Sequence, residues 1–160
     1  MKIEAVKVDI PEGSNVILGQ THFIKSIEDL YEIVATGVPT CRFGVAFCEA
    51  SGPCLIRVEG NDLKTREAAS AIAQSVAAGH FFSIVLQDAF PINVLNAIKG
   101  CPEVCSLFCA TANPVEVIVA ETEQGRGVLG VIDGSSPKGV EGKEEERSRK
   151  EFLRKIGYKR

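Results

Sequence analysis

His80 is the residue whose type and place in the sequence best fit chemistry on a substrate. It follows Gly79 and opens an apolar run that ends at Leu86, so it lies where a predicted helix ends and a predicted buried strand begins. A neutral imidazole nitrogen is a competent nucleophile toward phosphorus near neutral pH. We therefore interpret His80 as a candidate phosphoryl acceptor. The alternative is a core or rim histidine that only hydrogen-bonds a backbone carbonyl. His22, inside a predicted strand, is the weaker candidate.

A glycine-rich motif, Gly125-Arg126-Gly127-Val128-Leu129-Gly130, follows a predicted strand. In a dinucleotide-binding fold this motif opens a helix, whereas here it continues into residues with the pattern of a strand or turn. A Rossmann-type site is therefore not expected, and no Walker motif occurs in the sequence. Backbone N–H groups at Gly125 and Gly127, together with Arg126, can still hold a phosphate. The alternative is a hairpin turn with a surface arginine.

Polar side chains cluster at the predicted strand ends and in the loops. Any one of them is explained as a cap or turn residue, but they are more numerous than capping requires. Without a basic cluster, their types suit a ribose and a purine edge better than a polyphosphate. We predict that some of them contact a polar ligand. The candidates are Glu49, Ser51, Asn61, Asn93, Thr111, Asn113, Glu121 and Glu123.

The six cysteines do not form a recognisable metal site. No C-x-x-C pair is present, whereas structural zinc sites usually pair their ligands at short spacing. Buried free thiols behave as small hydrophobic side chains, and we favour this interpretation over a metal site or a redox pair. The cysteines are Cys41, Cys48, Cys54, Cys101, Cys105 and Cys109.

The composition is that of one globular domain. The 160 residues are 45% hydrophobic and 24% charged, close to the averages of soluble proteins. The net charge of −3 argues against a nucleic-acid-binding protein, which normally has a basic excess. The apolar runs are only of strand length, and the N-terminus lacks the apolar core of a signal peptide. We therefore expect a cytoplasmic protein with no nucleic-acid or membrane partner.

Alternating strands and helices must position the candidate residues. Apolar and period-two runs predict strands at residues 3–10, 15–23, 42–50, 54–58, 80–86, 104–110 and 115–122. Helical spacing and terminal signals predict helices at 26–37, 62–78, 91–99 and 143–156. Turn residues at 11–14 predict that the first two strands form a hairpin.

These elements predict an α/β fold, a single-domain layered sandwich in which helices cover a mixed β-sheet. The strand after His80 is apolar on both faces, which places it at the centre of that sheet. We expect residues 1–140 to form the ligand-binding domain and residues 141–160 to form a charged helical tail that packs on it. The tail has a net charge of +3 and the remainder a net charge of −6.

Several long segments together resemble the adenosine-specific kinase family, small proteins typical of archaea and thermophilic bacteria. The resemblance covers nearly the whole chain, up to RKIGY at 154–158. It is carried by FGVAFCEASGP at 43–53, AGH at 78–80, FPINVLNAI at 90–98, ATANP at 110–114 and VAETEQGRGVLGVIDG at 119–134. The resemblance implies binding of adenosine and AMP but not of ADP or ATP, a stably phosphorylated histidine, and a homo-oligomer, with a trimer as the expected order.

The role of phosphorylated histidine is carried over to His80, because the Ala-Gly-His segment is part of the matching pattern. On this hypothesis His80 accepts a phosphoryl group and passes it to the 5′-hydroxyl of adenosine. Arg126 and the N–H groups of residues 125–127 would stabilise the phosphoryl oxygens, and Glu121 or Glu123 would act as base or ribose ligand. The ligand is adenosine or AMP, and no cofactor is assigned. The alternatives are a non-catalytic adenosine or AMP sensor and a structural oligomer without a ligand.

Overall fold

Eight strands and four helices build the chain, and the computed structural model describes residues 1–160. The strands are β1 (Lys2–Val8), β2 (Asn15–Thr21), β3 (Arg42–Cys48), β4 (Ile56–Gly60), β5 (Phe81–Gln87), β6 (Val104–Thr111), β7 (Val115–Glu121) and β8 (Arg126–Asp133). The helices are α1 (Ser26–Gly37), α2 (Leu63–Val76), α3 (Leu95–Lys99) and α4 (Lys143–Lys155). One turn of 3-10 helix, Pro91–Asn93, precedes α3, so the predicted helix at 91–99 is divided in two.

The strands form two sheets, and the α/β sandwich predicted from the sequence is confirmed. The larger sheet has the order β4-β3-β5-β2-β6, and the smaller one has the order β1-β7-β8. Every strand pair is antiparallel, whereas a mixed sheet was expected. The predicted β1–β2 hairpin is wrong, because β1 pairs with β7 and β2 lies between β5 and β6. The turn at 11–14 therefore carries the chain from one sheet to the other.

β5 is the central strand of the larger sheet, as its apolar run predicted. Its residues Phe81 to Leu86 are all buried, because both sides of the sheet are covered. α2 and the smaller sheet cover the side that we call the α2 face, which includes Cys48 and Phe81. α1 and α3 cover the opposite side, the α1 face, which includes Phe47 and Phe82. Successive residues of one strand therefore serve two separate cores.

α2 lies directly on β3 because both surfaces are made of small groups. The Asp62 side chain caps the helix by accepting a hydrogen bond from the Thr65 backbone N–H at 3.0 Å. Under the same turn, Gly44 offers no side chain, and a Cβ there would lie 2.3 Å from the Thr65 carbonyl. Past the helix, Ala77 takes a left-handed conformation with φ 51°. The predicted bounds of 62–78 agree closely with the observed helix.

α4 is the charged C-terminal helix that the sequence predicted. It has no buried residue, and the apolar side chains of Phe152, within it, and of Ile156, directly after it, are exposed. Ion pairs such as Arg149 with Glu141 connect groups within the tail. No helix of the chain has both the length and the apolar character needed to cross a bilayer.

Candidate functional site

A cleft of about 720 Å³ lies between three segments of the α2 face. Its volume suits a small molecule of nucleoside size. The segments meet because α2 packs on β3 and β5 while the smaller sheet covers the same face. They are the end of β3 and its loop (Cys48, Glu49, Ala50, Cys54, Ile56), the end of α2 (Gln74, Ala77, Ala78, Gly79) and the β7–β8 hairpin (Ala120, Thr122, Gln124, Gly125, Arg126, Gly127).

Glu49 is the acidic residue of the cleft, and its carboxylate is already engaged. One oxygen accepts a hydrogen bond from the Leu55 backbone N–H at 2.8 Å. The other accepts from Nε and Nη2 of Arg57 at 2.9 and 2.7 Å. These bonds, the Leu55 N–H first, hold the pKa of Glu49 below its ordinary value. Glu49 therefore remains ionised and closes the loop that forms one wall.

Arg126 is the basic residue of the cleft, and it too is paired. Its Nε lies 2.6 Å from the Glu121 carboxylate, and its Nη2 lies 2.9 Å from the Glu4 carboxylate. The pairing with Glu121, and then Glu4, raises the pKa of Arg126 further. The guanidinium is thus directed at two carboxylates of its own chain.

The glycine-rich motif forms a hairpin and not a dinucleotide cradle. The Thr122 N–H donates to the Gly125 carbonyl at 2.9 Å, which closes the turn, and β8 begins at Arg126. Gly125 takes φ 155°, a conformation that favours glycine. A Cβ at Gly125 or Gly127 would meet no atom within 4 Å, so neither glycine is needed for close packing. The expected absence of a helix after the motif agrees with this hairpin.

His80 has a strained backbone and an imidazole with no hydrogen bond inside the chain. Its φ is 63°, a left-handed conformation that is uncommon outside glycine. The backbone is fixed on both sides, since the His80 N–H donates to the Cys48 carbonyl at 2.8 Å and the His80 carbonyl accepts from the Thr21 N–H at 3.0 Å. The ring stacks on Phe47 with centroids 5.8 Å apart. The side chain is therefore not the carbonyl-bound rim histidine of the alternative interpretation.

The imidazole lies on the opposite side of the larger sheet from the glycine-rich hairpin. Gly79, the residue before His80, lines the cleft, but the His80 ring stacks on Phe47, which belongs to the α1 face. The hypothesis that residues 125–127 surround a phosphoryl group on His80 therefore needs a different cation. Arg57 lies opposite Phe47 in the β3–β4 register, so it is on the same side as the imidazole.

Two predicted ligand residues, Asn61 and Asn93, lie outside the cleft and stabilise the fold. The Asn61 oxygen accepts from the Phe43 backbone N–H at 2.9 Å, and its amide donates to the Cys41 carbonyl at 2.8 Å. The Asn93 oxygen accepts from the Phe90 N–H at 2.9 Å, which caps the 3-10 turn. Both amides are thus used as turn and cap groups.

Thr111 and Asn113 form the turn between β6 and β7. The Thr111 hydroxyl accepts from the Asn113 backbone N–H at 2.9 Å, and the Asn113 amide donates to the Asp133 carboxylate at 3.1 Å. The structure brings these two residues together, but not with the cleft. Ser51 and Glu123 are exposed on the loop and hairpin that form two walls of the cleft, and neither side chain has a hydrogen bond.

Known proteins resemble this chain over nearly its whole length. The family model described as adenosine specific kinase matches residues 6–159. The chain belongs to the adenosine specific kinase family. Among solved structures it is similar to the PH1918 protein from Pyrococcus horikoshii OT3, with 44% identity over 99% of this chain and 98% of that one and a TM-score of 0.95. No curated protein matches it.

Within this adenosine specific kinase fold, the cleft contains residues that sequence reasoning missed. Cys48, Cys54, Gln74 and Thr122 all line it. Burial raises the pKa of the Cys48 thiol to about 11, which favours its protonated form at neutral pH. Thr122 and Gln124 were visible in the polar segment at the end of β7. Gln74 gave no signal, because an exposed glutamine on a helix is usual.

A second cluster of polar groups lies away from the cleft, where α1 meets the start of β6. The Cys101 thiol donates to the Glu103 carboxylate at 2.9 Å, and Lys25 Nζ lies 2.8 Å from the other oxygen of Glu103. Asp29 also pairs with Lys25. Asp29, Cys101 and Glu103 have spacing that a metal ion can use, but here the ammonium of Lys25 supplies the positive charge.

Proposed function

We propose that this member of the family is an adenosine phosphotransferase, a transferase whose cleft binds adenosine or AMP and whose His80 carries the phosphoryl group. The observation that carries the proposal is His80 itself. Its imidazole has no hydrogen bond to either ring nitrogen, and it follows directly on Gly79, which lines the cleft. A nucleophile at the rim of a nucleoside-sized cleft is what a phosphohistidine mechanism requires.

The lining of the cleft supports a nucleoside as its ligand. Gln74, Thr122 and Gln124 offer hydrogen-bond donors and acceptors without charge. The two charged residues, Glu49 and Arg126, are both paired within the chain. We assign the ribose hydroxyls to the hairpin, where Glu123 is exposed and without an ion pair.

The chemistry has two steps that balance. An imidazole nitrogen attacks the phosphorus of an acyl phosphate or phosphoanhydride donor and forms a P–N bond. The donor P–O bond breaks to release a carboxylate or a phosphate, and the other ring nitrogen gives its proton to solvent. The 5′-oxygen of adenosine then attacks the same phosphorus, the P–N bond breaks, and the hydroxyl proton passes to the imidazole. Because such transfers depend mainly on positioning and electrostatics, we assign the phosphoryl oxygens to Arg57, on the imidazole side of the sheet. Glu49 holds its Nε and Nη2, which leaves Nη1 for a phosphoryl oxygen.

The test is the intact mass of the purified protein, followed by peptide mapping at neutral to alkaline pH, since phosphohistidine is acid-labile. We expect a gain of about 80 Da, the mass of a phosphoryl group, on the peptide that contains His80. His80→Asn should lose this label and still bind adenosine in calorimetry. If His80→Asn still phosphorylates adenosine, the mechanism is wrong.

A non-catalytic adenosine or AMP sensor is the second candidate, and one observation favours it. The imidazole and the glycine-rich hairpin lie on opposite sides of the sheet, so a bound nucleoside must reach across the rim at Gly79 to meet His80. Turnover separates the two functions. A sensor binds adenosine stoichiometrically and yields no AMP with any donor, whereas the enzyme forms AMP from adenosine and the donor.

We also propose a homo-oligomer, with a trimer as the first order to test, in the cytoplasm of a thermophile. Exposed apolar side chains on the body, Phe90 and Ile92, and on the tail, Phe152 and Ile156, support self-association. All six cysteines are free, which fits a reducing compartment. Light scattering of the eluting protein measures the order, and a monomer at micromolar concentration would contradict the proposal.

A further inference from the structure

The guanidinium of Arg126 is bound from three elements at once. Glu121 on β7 holds Nε at 2.6 Å, Glu4 on β1 holds Nη2 at 2.9 Å, and the Ser75 carbonyl on α2 lies 3.4 Å from Nη1. The Arg126 side chain is only 23% exposed. We call Arg126, Glu121 and Glu4 the arginine clamp. All three of its guanidinium nitrogens have partners before any ligand arrives.

The clamp determines the charge that a ligand meets in the cleft. Arg126 is the only basic residue that lines it, and two carboxylates contact that one cation. The other charged residue of the lining, Glu49, is neutralised by Arg57. A phosphate that approaches Arg126 must therefore displace a carboxylate or accept repulsion from it. A neutral nucleoside meets neither cost.

We propose that Glu121 and Glu4 are the specificity-determining residues that limit how much negative charge a ligand of this cleft can carry. The inference rests on the proposed function, because it concerns the same cleft. The ranking it predicts follows the charge of the ligand, with adenosine first, then AMP and ADP, and ATP last. Glu121 has the larger effect, since it makes the shorter contact and is part of the hairpin that forms the wall.

The test compares Glu121→Gln with Glu116→Gln. Glu116 is an exposed carboxylate on the same strand, β7, and it has no ion pair and does not line the cleft. Glutamine keeps the shape of the side chain and removes its charge. We expect Glu121→Gln to raise the affinity for AMP and ADP relative to adenosine about tenfold, and to make pyrophosphate binding measurable. Glu116→Gln should leave the affinity ratios unchanged. Calorimetry at low and at physiological salt measures the affinities of both variants. The gain in AMP and ADP affinity of Glu121→Gln should be smaller at the higher salt concentration.

The outcomes separate this inference from the proposed function. If adenosine binds and Glu121→Gln leaves the AMP-to-adenosine ratio unchanged, the clamp proposal is wrong and the proposed function stands. If the wild-type protein does not bind adenosine, the proposed function fails. Pyrophosphate binding to Glu121→Gln, compared with wild type, still tests the clamp. Should Glu121→Gln melt at a much lower temperature, Glu4→Gln replaces it, because β1 forms no wall of the cleft.

Discussion

The imidazole of His80 stacks on the ring of Phe47, with centroids 5.8 Å apart and ring planes at 16°. Phe47 is fully buried, so it offers a fixed surface for the imidazole. The contact orients the side chain by packing and leaves both ring nitrogens without a hydrogen bond. A nucleophile held in this way keeps a lone pair for an incoming phosphorus.

The backbone of His80 gives the first prediction. With φ at 63°, alanine at this position is strained by about 1 kcal/mol, whereas asparagine tolerates the conformation. We expect His80→Ala to be less stable than His80→Asn by about that amount. Urea denaturation measures the difference. Equal stability would mean that the turn at 77–80 relaxes when the histidine is removed.

The exposed thiol of Cys54 provides a test of where the ligand binds. Cys54 lines the cleft, and Cys105 is exposed elsewhere, on β6. Adenosine at about 100 times its dissociation constant leaves about 1% of the protein free, so alkylation of Cys54 should slow by up to about 100-fold. Cys105 should react at an unchanged rate, as the internal control. Mass spectrometry of the alkylated peptides measures both rates, and equal rates at Cys54 with and without adenosine would place the ligand outside the cleft.

The local elements of this fold were predictable, but their partners were not. The bounds of α2 and the central position of β5 followed from capping residues and an apolar run, which are properties of neighbouring residues. The β1–β2 hairpin failed because the turn at 11–14 and two alternating runs do not show which strands pair. Lys2 lies opposite Glu121, and no local pattern connects residues so distant in sequence.

The candidate site was also only partly predictable, because the sequence shows residue types at strand ends but not which of them meet. Glu49, the glycine-rich segment and His80 were recognised as residue types at strand ends, and the structure places the first two in one cleft with Gly79. Asn61 was indistinguishable from a ligand residue until its partners Phe43 and Cys41 were known. The clamp on Arg126 could not be predicted, since Glu4 reaches it from the opposite end of the chain.

The close approach of α2 to β3 gives a prediction about packing. A Cβ on Gly44 would lie 2.3 Å from backbone atoms of Thr65, so Gly44→Ala must push the helix away from the strand. We expect a loss of stability of about 1–3 kcal/mol. Gly130→Ala is the matched control, because a Cβ there meets no atom within 4 Å, and it should change stability by less than about 0.5 kcal/mol. Urea midpoints of the two variants decide the comparison.

Glu103 predicts how stability depends on acid. The Cys101 thiol, and then Lys25, lower the pKa of Glu103 from 4.5 to about 2. Because the pKa is lower in the folded state, the ionised carboxylate stabilises the fold above pH 4.5, and this contribution is lost as the pH falls toward 2. Glu103→Gln should flatten that part of the stability profile, whereas Glu123→Gln should retain it. Urea midpoints of the two proteins are measured across this pH window. A parallel loss of stability in wild type and Glu103→Gln would contradict the prediction.

The pairing of β1 with β7 has a consequence for the order in which the protein assembles. β1 is synthesised before the other seven strands, yet its hydrogen-bonding partner is β7, with Val8 opposite Val115 and Lys2 opposite Glu121. β1 therefore stays unpaired until β7 and all the elements between them have been synthesised. Since Glu4 on that strand and Glu121 on its partner both hold Arg126, one wall of the cleft is completed late in synthesis. A ribosome stalled before residue 121 would therefore hold a chain that has the larger sheet's central strands but no finished cleft.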